Sequence, residues 1–263
     1  MSARTGLVVR RRDLEAPPLA QWRLSGAPRW VVPRPLWRSL GTFCVDTTDR
    51  VVSLTYDDGP HPEHTPRVLD VLATRGARAT FFVLEGPVRA HPDIVRRIVA
   101  EGHEVALHGP DHGSLLSMST AAAVQSIRSS RDAVESVAGH ALRLYRPPYG
   151  QHTTAQARAI ARDGLELAIW SGDAQDWRDA PESEILEHAW NAVHPGAVIL
   201  LHDDRADPER LEPGESLPTF DRAAVLDGLL SRLAEQDYRC MTMGSLLDQY
   251  PRVRTYARER SRR

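Results

Sequence analysis

From residue 51 onward, short apolar runs alternate with amphipathic stretches. The runs predict strands over 51–56, 79–83, 104–107, 142–145, 165–170, 197–201 and 238–243. The stretches between them predict helices over 65–75, 91–100, 120–137, 154–162, 182–193, 221–235 and 245–250. Gly76, Gly102 and Gly139 stop three of these helices, Pro92 sits in a first turn, and Ser119 or Thr120 caps the long one. Seven strands alternating with helices read as parallel βαβ units, which an open doubly wound sheet and a closed barrel satisfy equally. The first strand is followed by no Gly-x-Gly-x-x-Gly and no phosphate-loop lysine, so nucleotide binding has no support.

Residues 1–46 break the pattern. They hold Pro17, Pro18, Pro28, Pro33 and Pro35 together with Trp22, Trp30 and Trp37, and show no period. They predict an irregular extension that lays its tryptophans on a neighbouring surface. Residues 47–250 form the α/β domain, and 251–263 read as a basic tail.

Among 263 residues, 33 Lys and Arg nearly balance 35 Asp and Glu, a formal net charge of −2. That balance gives no electrostatic reason to expect nucleic acid or an anionic membrane as partner. Cys44 and Cys240 are too few for a disulfide framework and read as structural thiols in a reducing compartment. Leu7-Val8-Val9 is too short for a signal-peptide core, and no run has the length of a membrane span. The expectation is a cytoplasmic protein.

The chemistry gathers at strand ends. The run Val51-Val-Ser-Leu-Thr-Tyr-Asp-Asp-Gly-Pro60 ends in two carboxylates and a break. Asp57 and Asp58 are either an ordinary turn or a like-charged pair turned into one cleft. His108, Arg146, Asp173 with Asp176, and His202 also lie just past strands. In a closed parallel barrel those ends share one face, where catalytic groups are built. His108-Gly-Pro-Asp-His112 spaces two imidazoles four apart, which on one helical turn puts both on one side, with His108 at the helix entry. With a strand-end aspartate, two histidines make a three-ligand set that leaves positions open for water and substrate.

Thr55-Tyr-Asp-Asp-Gly-Pro60, His108-x-x-x-His112, Arg146-Pro-Pro-Tyr-Gly150, Asp173-x-x-Asp176-Trp177 and Leu200-Leu-His202-Asp203 resemble, in order and spacing, the motifs of the polysaccharide deacetylases. This is the family with the NodB homology domain, carbohydrate esterase family 4. Ala79-Thr-Phe-Phe82 and Gly102-His-Glu104 are similar to its intermediate stretches, and the resemblance covers roughly residues 50–248. It implies a distorted (β/α) barrel of about seven parallel strands and a divalent metal, commonly zinc, with cobalt, nickel or manganese as alternatives. It also implies hydrolysis of N-acetyl groups on amino sugars, or of O-acetyl groups on polysaccharides.

Carried onto this chain, the resemblance makes Asp58, His108 and His112 the metal ligands and Asp57 the general base. His202 becomes the general acid, supported by Asp176, and Arg146 the bidentate partner of Asp57. The backbone N–H of Tyr149 becomes the oxyanion donor, and Trp177 and Leu200 the walls for sugar and acetyl methyl. Two positions depart from the family. Gly109 replaces a common Ser or Thr, and Tyr56 replaces a common Phe, adding a hydroxyl that needs a partner. Residues 203–217 are acidic and long for a strand–helix connection, a lid or an inconsequential insertion. The expected partner is an acetylated carbohydrate, intracellular and soluble. An O-acetyl esterase and a catalytically silent carbohydrate-binding module are the alternatives; oligomeric state is not legible.

Overall fold

The computed structural model of the chain describes residues 5–9, 29–33, 37, 40–205, 211, 214 and 216–255. In chain order the strands are β1 Thr5–Val9, β2 Arg29–Pro33, β3 Gly41–Val45, β4 Val51–Asp57, β5 Ala79–Leu84 and β6 Glu104–Gly109. They continue with β7 Leu144–Tyr145, β8 Glu166–Leu167, β9 Gly172–Asp173, β10 Ala197–His202, β11 Arg239–Cys240 and β12 Arg252–Thr255.

The main sheet runs β8-β7-β6-β5-β4-β10-β9, with every pair parallel. β11 joins beside the first residues of β4. Seven strands in this path, with helices between them, form the expected distorted (β/α) barrel. It is open between β8 and β9, the two ends of the path. The chain bridges that opening through β3, where Thr42 pairs with Ala168 and the Thr42 carbonyl accepts from Ile169 N.

Alternation along the strands sorts side chains onto two faces. Val52, Leu54 and Tyr56 of β4, Phe81 and Val83 of β5, and Ile199 and Leu201 of β10 belong to the core between sheet and helices. Val51, Phe82, Ala106, Leu144, Val198 and Leu200 form the inner core, together with Met243, Leu246 and Leu247 of the last helix. That helix, Met243–Gln249, is seated by the strands it plugs. Thr80 Oγ1 accepts from Met243 N at 2.8 Å, and Glu104 Oε2 accepts from Gly244 N at 2.7 Å. The two intermediate stretches of the sequence therefore anchor the barrel floor.

Helix boundaries follow local chemistry. Thr154–Arg162 opens on a reciprocal cap between Thr153 and Gln156. Ser119 caps Thr120–Ala138 by accepting from Ala122 N, and Asp221 caps Arg222–Glu235. A short helix, Glu85–Ala90, follows β5 where Gly86-Pro87 predicts none.

Three expectations are corrected. Residues 1–46 are not simply irregular: β1, β2 and β3 lie in them, and with β12 they make a second sheet in the order β2-β1-β12-β3. Residues 252–255 are consequently a strand and not a tail. Trp22 lies outside the described residues; Trp37 is half-buried under the Arg254 guanidinium, 5.9 Å from its ring. Finally, the apolar run 165–170 is not one strand. The backbone leaves β7 after Leu167, borrows Thr42 for Ala168, and joins β10 as β9, so continuous hydrophobicity hides a change of partner.

Candidate active site

The inner-face phase that begins with Val51 in β4 continues through Ser53 and Thr55 to Asp57. The same count leads from Ala106 to His108, from Leu144 to Arg146, and from Val198 and Leu200 to His202. Four strands thus deliver Asp57, His108, Arg146 and His202 to one rim at their C-terminal ends. Asp57 and His202 are register partners on β4 and β10.

Asp58 follows β4 in a left-handed conformation, φ 80°. A residue with a Cβ adopts this only where its surroundings hold it there. Its Oδ1 lies 3.3 Å from His108 Nε2 and 3.5 Å from His112 Nε2. One donor atom from each of the three residues falls within 4.8 Å of the others. Burial pushes the Asp58 carboxyl up, but the His108 hydrogen bond and the charges of His112, His202 and His108 outweigh it. The group is left well below the usual carboxylate range.

His108 Nδ1 lies 2.7 Å from the Arg146 carbonyl. A carbonyl only accepts, so Nδ1 carries a proton, and Nε2, on the side of Asp58, is the atom left to act as donor to the carboxylate or, once deprotonated, as ligand to a cation. A carboxylate and two imidazoles, one with its tautomer fixed from behind, fit a zinc-like divalent cation. The expected helical turn is absent: His108 is the penultimate residue of β6, and residues 110–114 form bends and loop. The two rings still approach, with centroids 5.4 Å apart. Gly109 takes φ 137°, where a Ser or Thr would be strained, which accounts for the glycine.

Arg146 is fully buried. Its NH1 donates to Asp57 Oδ1 at 2.6 Å and to Thr55 Oγ1 at 2.8 Å, and its NH2 to the Ile169 carbonyl at 3.4 Å. The pairing with Asp57 is therefore single and not bidentate, because the second nitrogen is taken by backbone. Phe82 lies beneath the guanidinium at 4.0 Å and Trp170 at 5.6 Å. Asp57 Oδ2 points the other way, 3.8 Å from His108 Nε2.

His202 forms a second pair. Asp176 accepts from His202 N and Nδ1, each at 2.7 Å. Burial alone would lower the imidazole. The Asp176 charge and hydrogen bond, followed by Asp58 and Asp57, raise it to about 10 instead.

Arg222 braces Asp176, donating to its carbonyl at 3.3 Å and lying 3.6 Å from Oδ2. As the first residue of a helix it carries no sequence signal for that role. Thr55, which spaces Arg146 from the Ile199 carbonyl, was likewise missed.

Tyr149 sits at φ 57° in the turn after Arg146-Pro-Pro, with its ring 4.4 Å from that of His112. Leu200 is buried one step below His202. Trp177, 39% exposed, follows Asp176 in the chain. Asp173 accepts from Gln175 N at 2.7 Å and shapes the loop leading to Asp176. Residues 206–210, 212, 213 and 215 of the 203–217 connection, read as a lid or an inconsequential insertion, lie outside the described residues. Its two ends are tied to the Trp177 loop: Arg205 donates to the Trp177 carbonyl, and Asp179 accepts from Ser216 and Thr219. The Tyr56 hydroxyl is buried on the outer face with no hydrogen-bond partner among the described residues.

The polysaccharide deacetylase family model matches residues 45–168. A chitooligosaccharide deacetylase of Rhizobium leguminosarum bv. trifolii is 39% identical over 198 residues, covering 75% of this chain and 91% of the relative. The peptidoglycan-N-acetylmuramic acid deacetylase PdaC of Bacillus subtilis (strain 168) is 31% identical over 77% of this chain, which spans 40% of that protein's length. A crystal structure of a peptidoglycan N-acetylglucosamine deacetylase, in complex with 4-naphthalen-1-yl-N-oxidanyl-benzamide, superposes with a TM-score of 0.69 at 29% identity. The superposition covers 78% of this chain and 91% of that one. With four motifs meeting on one rim, the fifth reaching it through the Asp176–His202 pair, and a relative matched over most of its length, the chain belongs to the polysaccharide deacetylase family.

Proposed function

We propose that this protein is a metal-dependent hydrolase that removes N-acetyl groups from N-acetylated amino sugars in an oligosaccharide or glycan. The observation that carries the reading is the placing of three units on one rim. They are the Asp58–His108–His112 donor set, the Asp57–Arg146 pair and the His202–Asp176 pair. The names of the relatives, chitooligosaccharide and peptidoglycan deacetylases, support an acetylated sugar as substrate.

Asp58, His108 and His112 would hold the cation, which when bound supplies Lewis-acid charge beside the acetyl carbonyl and acidifies a nearby water. Zinc suits the donor set. Asp57 takes the water's proton as general base: Arg146 occupies Oδ1, so Oδ2 is the accepting atom. The buried Arg146 guanidinium, bonded to Oδ1, fixes the plane of the Asp57 carboxyl group. The backbone N–H of Tyr149, beside His112, is the donor for the oxyanion as the carbonyl carbon becomes tetrahedral. His202 completes the reaction. Its Nδ1–H is held by Asp176, so the Nε2–H protonates the amine nitrogen as the C–N bond breaks, releasing acetate and a free amino sugar. Trp177 receives a sugar face, and Leu200 lines the acetyl methyl pocket.

Incubating the protein and N-acetylglucosamine oligomers with zinc, cobalt or nickel tests the reading. Acetate and primary amine should appear in equal amounts. Neither product from chitin oligomers or peptidoglycan fragments, with any of the three metals, would contradict it.

A further inference from the structure

Asp203 follows the acid histidine and has no part in the mechanism above, yet it is 1% exposed, and its polar contacts run to the turn that carries Asp58 and to the first residues of the helix His64–Thr74 just beyond it. Its Oδ1 accepts from Gly59 N at 3.2 Å. Its Oδ2 accepts from Thr65 Oγ1 at 2.5 Å, and that hydroxyl in turn accepts from His61 N at 2.7 Å. Its own N–H reaches the Asp57 carbonyl at 3.4 Å. Asp203 therefore grips the backbone on both sides of Asp58, at residue 57 and at residue 59.

The grip meets a need. Asp58 has φ 80°, and such a residue holds its conformation only if neighbouring bonds over-determine it. Gly59 is not in the left-handed region itself, so backbone freedom does not account for its lack of a side chain. Space does: a Cβ at position 59 would stand 2.2 Å from Asp203 Oδ2 and 2.4 Å from Oδ1. The Leu84 N–H closes the other side of the turn on the Gly59 carbonyl at 3.0 Å.

We propose that Asp203 is the positioning residue of the metal site, its carboxylate filling the Cβ space of Gly59 so that Asp58 is held toward His108 and His112. Gly59 and Asp203 then form one interlocking unit. The inference rests on reading Asp58 as a metal ligand.

The test measures the zinc dissociation constant by chelator competition and, separately, the urea midpoint of the metal-free protein. The variants are Asp203→Asn, Asp203→Ala, Gly59→Ala and the Gly59→Ala/Asp203→Ala double. Loss of a group that orients a ligand weakens metal binding about 10- to 100-fold. Asp203→Ala and Gly59→Ala should each fall in that range, and Asp203→Asn, which keeps an acceptor for Gly59 N, should fall less. The double variant should bind zinc no more weakly than Asp203→Ala alone, since removing the carboxylate makes room for the new Cβ.

Unchanged zinc affinity in Asp203→Ala with a lowered urea midpoint would show a merely structural role and overturn the proposal. Additive losses in the double variant would overturn it equally. If Asp203→Ala fails to fold, Thr65→Val removes one contact at the edge of the grip and should still weaken zinc binding; wild-type affinity there overturns the proposal. Wild-type protein that binds no zinc would overturn the functional reading itself, and this inference with it.

Discussion

Arg146 and His108 are joined through the backbone: the Arg146 carbonyl accepts the Nδ1 proton of His108 at 2.7 Å. The guanidinium of the same arginine holds Asp57 at 2.6 Å. One residue thus sets which His108 nitrogen carries a proton toward the backbone and how the Asp57 carboxyl group, the proposed base, is oriented. This couples two functions that the linear sequence separates by 51 positions, from Asp57 to His108.

Arg146→Lys should not be a conservative change. A lysine ammonium cannot serve Thr55, Asp57 and the Ile169 carbonyl at once, nor lie flat on Phe82. We expect kcat to fall about 100-fold, in the range that general-base catalysis contributes. Arg146→Ala leaves a buried carboxylate unpaired and should cost about 3–5 kcal/mol in urea unfolding. Wild-type kcat in the lysine variant would show that only charge is needed.

The pH profile should report the His202–Asp176 pair. The folded imidazole is raised to about 10, above its unfolded value near 6.5. It is therefore protonated and able to donate through neutral pH. Its contribution to stability is complete below about 6.5 and is lost as pH rises through about 10. A bound cation opposes the share that comes from Asp58 and Asp57, which leaves Asp176 as the dominant support. Asp176→Asn should accordingly move the alkaline limb of kcat to lower pH. An unmoved limb would assign it to another group.

Tyr56→Phe should stabilise the protein or leave it unchanged. The ring stacks on Phe81 with centroids 5.2 Å apart, and phenylalanine keeps that contact. The hydroxyl has no partner among the described residues, and an unsatisfied buried hydroxyl costs about 1–3 kcal/mol. A rise in the urea midpoint with unchanged kcat is expected; a fall would reveal a partner for the hydroxyl.

Strong local signals made much of this legible from sequence. Apolar runs bounded by Gly and Pro located β4, β5, β6 and β10, and period-two counting along them puts Asp57, His108 and His202 on one face. Failures occurred where tertiary pairing decides. β12 has the charged sequence Arg252-Val-Arg-Thr255 and is a strand because β1 and β3 flank it. β9 is two residues long and exists because β10 offers a free ladder. His108 and His112 meet across a loop although their spacing suggests a helix. Arg222 and Asp203 act on partners 46 and 144 residues away, beyond any local pattern.

In the proposed mechanism the adjacent carboxylates do different work, Asp58 holding the metal and Asp57 moving the proton. Asp57→Asn tests it most directly, with bound zinc and acetate release from N-acetylglucosamine oligomers measured on the same preparation. One zinc per chain is expected, as in wild type, with acetate release lowered about 10²- to 10⁴-fold, the share of general-base catalysis. Loss of zinc in Asp57→Asn, or acetate release at the wild-type rate, would contradict it.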